Sequence, residues 1–550
     1  MNQTNSSYTK SFFSNKILFL LVTGIFISTL SLRLYIYDPN VPVFLDSLQF
    51  FSYAVDINVL ESLPSNYTVT KPAWPIFLSI LFTLFDYSDT MSYMQIQKIS
   101  SIVLSSITIF PLYFLCNRFV EKKYSIIAVS LFAFAPRLIE NSLYGTTYPL
   151  FLLFFVLSLL FFLSTSKRLF YLSFLVSGIT TIIRPEGIFL FFSLAIMLII
   201  KIRNQNYRIP KYLLALSLFF IILIPMVIHT EEITPGKSIF GRIINTTDLY
   251  LETQNDTSSG DSLGTSSEVS VLTGLYNFPI YLGWVLIPMF IITVPIGFIL
   301  FFKKPNFKKT TIILISIICS LPAFYAYSYP LQETKYLYLL IPMFSIFSTL
   351  SIKFFLEKFN FKNYIFPLMI GIILISSFLF INYKIDVNYY REYALVAKKI
   401  VDNNLTLNDY YPESYYIHGL DIEQNWTKFK SFHENIDRSN PDGYPYSTKY
   451  YLPHKINTIS LLNESGIDDS EKFNSLTSFI FEHNETITHI ITDPIEHRPS
   501  FIKDVFYNEK NYPYLIKIWD SKDDGFTNHI KIFEINFKML ESKIIDQQLP

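Results

Sequence analysis

The sequence predicts a mainly α-helical, polytopic membrane bundle of about eleven spans, followed by a C-terminal α/β domain on the outer side. Three observations predict it. Hydrophobic residues make up 51% of the 550 residues and charged residues only 16%, against roughly 25% charged in soluble domains. The apolar runs stop near Lys384, and seven of the eight histidines lie beyond that point. Basic residues gather in every second predicted loop, as they do on the cytoplasmic side of membrane proteins.

A helix needs about 20 apolar residues to cross a bilayer. The runs 17–37, 99–117, 124–138, 147–165, 169–184, 187–202, 211–229, 277–302, 310–328, 336–355 and 364–383 meet or approach that length. The first lacks a small-residue cleavage site and more spans follow it, so it reads as a retained span rather than a signal peptide. The basic clusters are Lys10/Lys16, Arg118/Lys122/Lys123, Lys167/Arg168, Lys201/Arg203/Arg208/Lys211, Lys303/Lys304/Lys308/Lys309 and Lys353/Lys358/Lys362. An inside N-terminus and an odd number of spans put all of them in the cytoplasm, and put the tail outside.

Between the first two spans, residues 38–98 form one long outer loop. Within it, Pro75–Phe85 is apolar but too short to cross, so it reads as interfacial or re-entrant. The stretch FLDSLQFFSYA, with Phe44, Leu45, Leu48, Phe50 and Phe51, reads as an amphipathic surface helix carrying Asp46. A second outer loop, 230–276, is polar and Ser/Gly-rich, and reads as partly disordered. Asn66, Asn245, Asn255, Asn404, Asn425, Asn463 and Asn484 begin N-x-[ST] sequons in the outer regions, and Asn2 and Asn5 do so on the inner side. They permit glycosylation without requiring it.

From 384 to 550 the pattern changes to that of a soluble domain of ordinary size. Helical spacing appears over 391–404, 469–483 and Ser500–Phe506. Strands are expected at Tyr415–His418, Ile487–Thr492, Tyr514–Trp519 and His529–Ile535. No G-x-G-x-x-G or P-loop occurs, and His483, His489 and His497 lack the spacing of metal ligands on a helix. Lys+Arg and Asp+Glu balance at 44 each, so no charge excess points to nucleic acid. Cys116 and Cys319 lie in apolar runs and read as buried, which excludes a disulfide scaffold or a cysteine zinc site.

The informative charges lie in outer turns that are otherwise poor in charge. They are Asp46, Lys71 in KPAWP, Arg137 and Glu140 in APRLIENSLYGTTYP, Arg184 and Glu186 in RPEG, and Glu333 and Lys335 in QETKYLYLLIPMF. Basic side chains collected on one face can neutralise a lipid-linked phosphate, and a carboxylate there can take a hydroxyl proton. Taken singly, each is more often an interfacial anchor or an ion-pair partner; it is their collective placement on one side that points to a site.

With these residues in place, the layout of 17–383 resembles the GT-C glycosyltransferases, in particular protein O-mannosyltransferases and the aminoarabinose transferases of lipid A. The resemblance rests on Asp46 in the first outer loop, K-P-x-x-P from Lys71 to Pro75, Glu140 in the short second outer loop, Arg184 to Gly187, and Lys335-Tyr336 with Pro342 before a late span. Ser47 follows Asp46 where many members carry a second acid, and Ala73 stands where a second proline is common. The resemblance implies a donor of polyprenyl- or dolichyl-phosphate sugar, an acceptor hydroxyl on a protein, lipid or glycan, and inversion at the anomeric carbon. It implies Asp46 and Glu140 as catalytic carboxylates, Asp46 taking the acceptor's proton, and Lys71, Arg184 and Lys335 as phosphate partners. Arg137, Glu186 and Glu333 would support them.

No cofactor is implied, and a divalent metal is not expected, since the W-W-D-type motif of the oligosaccharyltransferase branch is missing. Membrane lipids are the remaining expected partner. Two other classes fit the composition: a transporter of lipid or sugar, and a non-catalytic protein of surface-polymer assembly. Charges at one outer face and the lack of an internal repeat weigh against transport. Asn-, Ile- and Lys-rich usage suggests an AT-rich genome, and with it a cell membrane rather than an internal one.

Overall fold

In the computed structural model, the described residues are 15–43, 46–64, 68–85, 90–204, 206–236, 238, 241, 271–303, 305–328, 333–358 and 365–384. In the tail they are 476–482, 487–494, 500–527 and 529–545, together with short pieces between 391 and 459. Every sequon asparagine, the strand expected at Tyr415–His418, and His483 and His497 lie outside the described residues.

The bundle opens with α1 (Asn15–Ile36), then α2 (Asp46–Leu60), α3 (Ala73–Leu84), α4 (Thr90–Ile107), α5 (Ile109–Cys116) and α6 (Lys122–Ala133). It continues with α7 (Pro136–Leu143), α8 (Tyr148–Phe162), α9 (Lys167–Ile183), α10 (Gly187–Ile202) and α11 (Arg208–Ile233). After the second large loop come α12 (Val271–Leu286), α13 (Thr293–Phe302), α14 (Phe307–Ile318) and α15 (Leu321–Ser328). A 3-10 helix at Thr334–Leu340, α16 (Ile341–Lys358) and α17 (Ile365–Lys384) complete it.

Six described helical stretches are long and apolar enough to cross a membrane, and the bent pair α6–α7 makes up to seven. The chain is thus a multi-pass membrane protein, but the count of eleven is not reached by this measure. The shortfall has a clear cause. Helices α8 and α10 have 15 and 16 residues, about 23 Å of rise, less than the ~30 Å hydrocarbon core. The run 277–302 is not one helix but two, α12 and α13, with a break over 287–292. The run 124–138 is likewise broken, with a 50° bend between α6 and α7.

That bend follows from the residues. Pro136 opens α7 and has no N–H to continue the ladder of α6. The carbonyl of Ala133, the last residue of α6, instead accepts from Thr29 Oγ1 at 2.9 Å and from Arg33 at 3.1 Å. Arg33 is fully buried in α1 and also donates to Ser142 of α7 at 3.1 Å and Ser105 of α4 at 3.2 Å. A cation at a helix C-terminus is favourable for both the carbonyls and the dipole. One arginine therefore joins four helices and fixes the direction in which α7 leaves.

The surface helix expected around Asp46 is not a surface helix. Among its described residues only Asp46 at its start is exposed, while Phe50, Phe51, Tyr53, Ala54 and Val55 are buried. Helix α3 packs along α2, and Phe51 meets Phe82 of α3 with ring centroids 5.7 Å apart. The FF-SYAV stretch is apolar nearly all round, which marks a buried helix rather than an interfacial one. Phe44 and Leu45 lie outside the described residues. Helix α3 itself has 12 residues, about 18 Å of rise, too short to cross.

The tail carries a five-stranded mixed sheet in the order β2-β1-β3-β5-β4. Its strands are β1 (Leu407–Asn408), β2 (Thr458–Ile459), β3 (His489–Thr492), β4 (Leu515–Asp520) and β5 (Lys531–Ile535). Strands β1, β2 and β3 run parallel, and β5 pairs antiparallel with both β3 and β4. Helices α18 (Leu476–Glu482), α19 (Ser500–Tyr507) and α20 (Phe537–Ile545) accompany it. One face forms its own core around Phe479, Ile502, Tyr514 and Leu540. The other side joins the bundle core through Val396, Ile400, Ile491, Ile530 and Ile532. Arg391 pairs with Asp38, just past α1, and Ser521 donates to Glu392 at 2.5 Å.

Candidate active site

A cavity of about 650 Å³ opens where α2, α7, α8, the α9–α10 turn and the 3-10 helix converge. Asp46, Arg137, Glu140, Arg184, Glu333 and Lys335 line it, along with Thr147, Tyr148, Tyr144 and Tyr338. Lys71 and Glu186 stand immediately behind, each bound to a lining residue. All of the charged residues singled out from the outer turns thus meet at one place.

The floor is set by the α7–α8 turn. Gly145 has φ +69°, a left-handed conformation that favours glycine. Its carbonyl accepts from Trp74 Nε1 of α3 at 3.1 Å and from Gln97 Nε2 of α4 at 2.9 Å. Gln97 also donates to the carbonyl of Ser47 at 2.9 Å. These bonds tie the start of α2, and so Asp46, to the turn that carries Thr147 and Tyr148.

The RPEG turn is shaped by close packing. A β-carbon on Gly187 would lie 2.6 Å from the backbone nitrogen of Thr181 and 2.7 Å from the carbonyl carbon of Thr180. Only glycine lets α10 start against the end of α9. Arg184, held at that turn, donates to Thr147 Oγ1 at 2.9 Å and to Glu186 at 2.6 Å, and its guanidinium lies 3.8 Å above the Tyr148 ring. Burial disfavours its charge, but Glu186 outweighs this and raises its pKa. For Glu186, burial acts to raise the pKa, and Arg184 and then Lys71 bring it below the usual carboxylate range. The pair is therefore charged.

Lys71 reaches Asp46 at 3.3 Å and lies 5.4 Å from the centre of the Phe50 ring. Burial and the nearby Arg184 lower the lysine's pKa, and Asp46 and Glu186 partly restore it. At Asp46, partial burial acts upward, but Lys71, Lys335 and Arg184 together pull the carboxyl below its ordinary value. Asp46 is 56% exposed, so an ionised oxygen faces the opening. Across the cavity, Glu140 accepts from Arg137 at 3.3 Å and from Tyr144 at 3.1 Å. Lys335 pairs with Glu333.

Some polar atoms here have no hydrogen-bond partner among the described residues: Tyr148 Oη, Glu186 Oε2 and the Nε atoms of Arg137 and Arg184. Unsatisfied buried polar atoms are uncommon and costly. Their clustering beside one cavity suits a polar ligand with both donors and acceptors.

Residues 71–229 match the family model of dolichyl-phosphate-mannose-protein mannosyltransferases, a stretch that holds Lys71, Arg137, Glu140, Arg184 and Glu186. Among solved structures, the apo oligosaccharyltransferase of Archaeoglobus fulgidus aligns with 88% of this chain and 70% of its own, at 12% identity and a TM-score of 0.52. The oligosaccharyltransferase AglB of the same organism, bound to an inhibitory peptide and a dolichol-phosphate, aligns over 92% and 74% at 11% identity and a TM-score of 0.50. The fold is that of the GT-C glycosyltransferases. ArnT of Cupriavidus metallidurans, bound to undecaprenyl phosphate, aligns over 95% of this chain and 98% of its own, with 10% identity and a TM-score of 0.49. No curated protein sequence matches the chain significantly.

Within this GT-C-type fold, sequence reasoning missed the neutral half of the site. Thr147 and Tyr148 hold Arg184 by a hydrogen bond and a ring face, and Tyr144 holds Glu140. Their signal was present as the crowded run YGTTYP, Tyr144 to Pro149, shortly after Glu140. A tyrosine-rich turn in a chain with 38 tyrosines does not stand out.

Proposed function

We propose that the chain is a membrane glycosyltransferase that moves a sugar from a polyprenyl-phosphate donor to an acceptor hydroxyl, with inversion, on the outer face of a cell membrane. The observation that carries this reading is the ionised Asp46 carboxylate in one cavity with Arg184 and Lys335, backed by its ion pair with Lys71. The match to a dolichyl-phosphate-mannose-dependent family and the dolichol-phosphate bound by AglB support a lipid phosphate as the leaving group.

In this reading Asp46 takes the proton of the acceptor hydroxyl as its oxygen attacks the anomeric carbon. The bond from that carbon to the phosphate oxygen breaks, and the polyprenyl phosphate leaves with the electron pair. Lys71, Arg184 and Lys335 offset the charge that develops on the phosphate, an arrangement that needs no reorganisation during reaction. Glu140, held by Arg137 and Tyr144, orients the acceptor. Glu186 and Glu333 keep Arg184 and Lys335 aimed. The acceptor's carrier is a protein, lipid or glycan, and the reaction runs without a divalent ion, because side chains supply the positive charge.

The basic loops support a cytoplasmic N-terminus. The pairing of Arg391 with Asp38 supports a tail, 384–550, on the same side as the cavity. The test is Asp46→Asn in the full chain, assayed with radiolabelled dolichyl-phosphate mannose as probe donor. Loss of the general base should lower turnover about 10²- to 10⁴-fold, with donor retention unchanged. Near wild-type turnover would remove Asp46 from the mechanism and leave Glu140 as the next acid to test.

A further inference from the structure

We propose a second lipid site at the far end of the bundle, for an anionic glycerophospholipid whose headgroup carries hydroxyls. A groove of about 460 Å³ lies between the start of α1 and the junction of α5 and α6. Its wall is apolar, with Leu18, Val22 and Phe110, and its rim carries Asn117, Arg118 and Lys122. The groove's residues on α1, Leu18 to Val22, lie about 25 Å along the helix from Ile36, the end that leads to Asp46. It shares no lining residue with the catalytic cavity.

Three observations select the occupant. Phe19 and Phe114, 65% and 56% exposed, leave the groove open sideways, which suits an acyl chain entering from the bilayer. Arg118 is half-buried, and among the described residues no acid pairs with its guanidinium. The nearest acid in the sequence, Glu121, is already engaged by Lys353 at 3.0 Å and Lys123 at 3.7 Å. Among the described residues, Arg118 thus has no carboxylate partner at the depth of a phosphate. Asn117 adds a buried amide oxygen with no hydrogen-bond partner among the described residues, an acceptor for a headgroup hydroxyl. The chain's own first 14 residues cannot supply the anion, because they contain no Asp or Glu. Basic pockets between transmembrane helices bind anionic headgroups in this way.

The experiment is native mass spectrometry of the full chain in detergent, with dioleoyl phosphatidylglycerol or phosphatidylcholine added at equal concentration. Wild type should retain phosphatidylglycerol well above phosphatidylcholine. Arg118→Gln with Lys122→Gln should lower its affinity roughly 30-fold, the factor two basic contacts give at an anionic surface. Arg118→Lys should keep most of it. Lys167→Gln with Arg168→Gln, which removes the same charge from another loop, should leave retention unchanged. Equal retention of the two lipids by wild type, or equal losses from both double variants, would overturn the proposal. Melting of each variant in detergent shows whether it folds, and Arg118→Gln alone, with an expected loss of roughly fivefold, carries the test if the double variant does not.

Discussion

The Asp46–Lys71 contact sets the protonation of the proposed base. The carboxyl's pKa is depressed, so its ionised form persists down to acid pH and is lost only as pH falls through that lowered value. Lys71→Met removes the main attractive charge, and the pKa of Asp46 rises. The acid limb of the pH–rate profile should therefore move to higher pH, while donor binding weakens through loss of a phosphate partner. A profile that keeps its acid limb, measured from pH 4 to 9, would show that Lys71 does not govern this carboxyl. Asp46, Lys71 and Arg184 were legible in the sequence because charges in apolar turns are conspicuous. Which acid each base pairs with was not legible, since Lys71 and Asp46 are joined only by the packing of α2 on α3.

Among the elements, the turn between α9 and α10 is tightly constrained. A methyl group at Gly187 meets backbone at 2.6 Å, which cannot swing aside as a side chain can. Gly187→Ala should destabilise the protein by about 1–3 kcal/mol, the usual cost of overpacking. It should also lower transfer, because Arg184 and Glu186 belong to the same turn. A melting temperature equal to wild type would refute the point. Helix types and rough positions followed from hydropathy, but the breaks did not. Hydropathy averages over a window, so Pro136 between two apolar runs and the turn at 287–292 left no trace in it. The placement of α2 was misread for a related reason: Phe and Leu on one loop segment look alike whether they face lipid or protein.

For the whole molecule, the charge asymmetry of the loops is the ground for proposing that the tail lies outside the cytoplasm. Both native cysteines are fully buried, so a new exposed cysteine reports cleanly. Asp523→Cys, on the exposed turn between β4 and β5, should react with an impermeant maleimide in intact cells. Reaction only after permeabilisation would reverse the topology and the side assigned to the cavity. The alternation of strand and helix in the tail was legible from local patterns at β3, β4, β5 and α19. The two-residue strands β1 and β2 were not, because two residues show no periodicity and owe their state to their neighbours.

The four ion pairs around the cavity, Asp46–Lys71, Arg137–Glu140, Arg184–Glu186 and Glu333–Lys335, sum to zero. A phosphodiester donor arrives with one negative charge, and its phosphomonoester product carries up to two, with a second pKa of about 6. The proton that Asp46 receives from the acceptor makes the protein one unit more positive at the moment the phosphate becomes one unit more negative. The turnover is therefore neutral overall, and because the Asp46 carboxyl is held below its ordinary pKa while the leaving phosphate has a second pKa of about 6, the proton passes on to the phosphate or to water rather than resting on Asp46. Product departure is tied to proton uptake by the phosphate: release of the monoanion should speed up as the medium is taken from about pH 8 toward about pH 6, and single-turnover and steady-state rates should converge over that range.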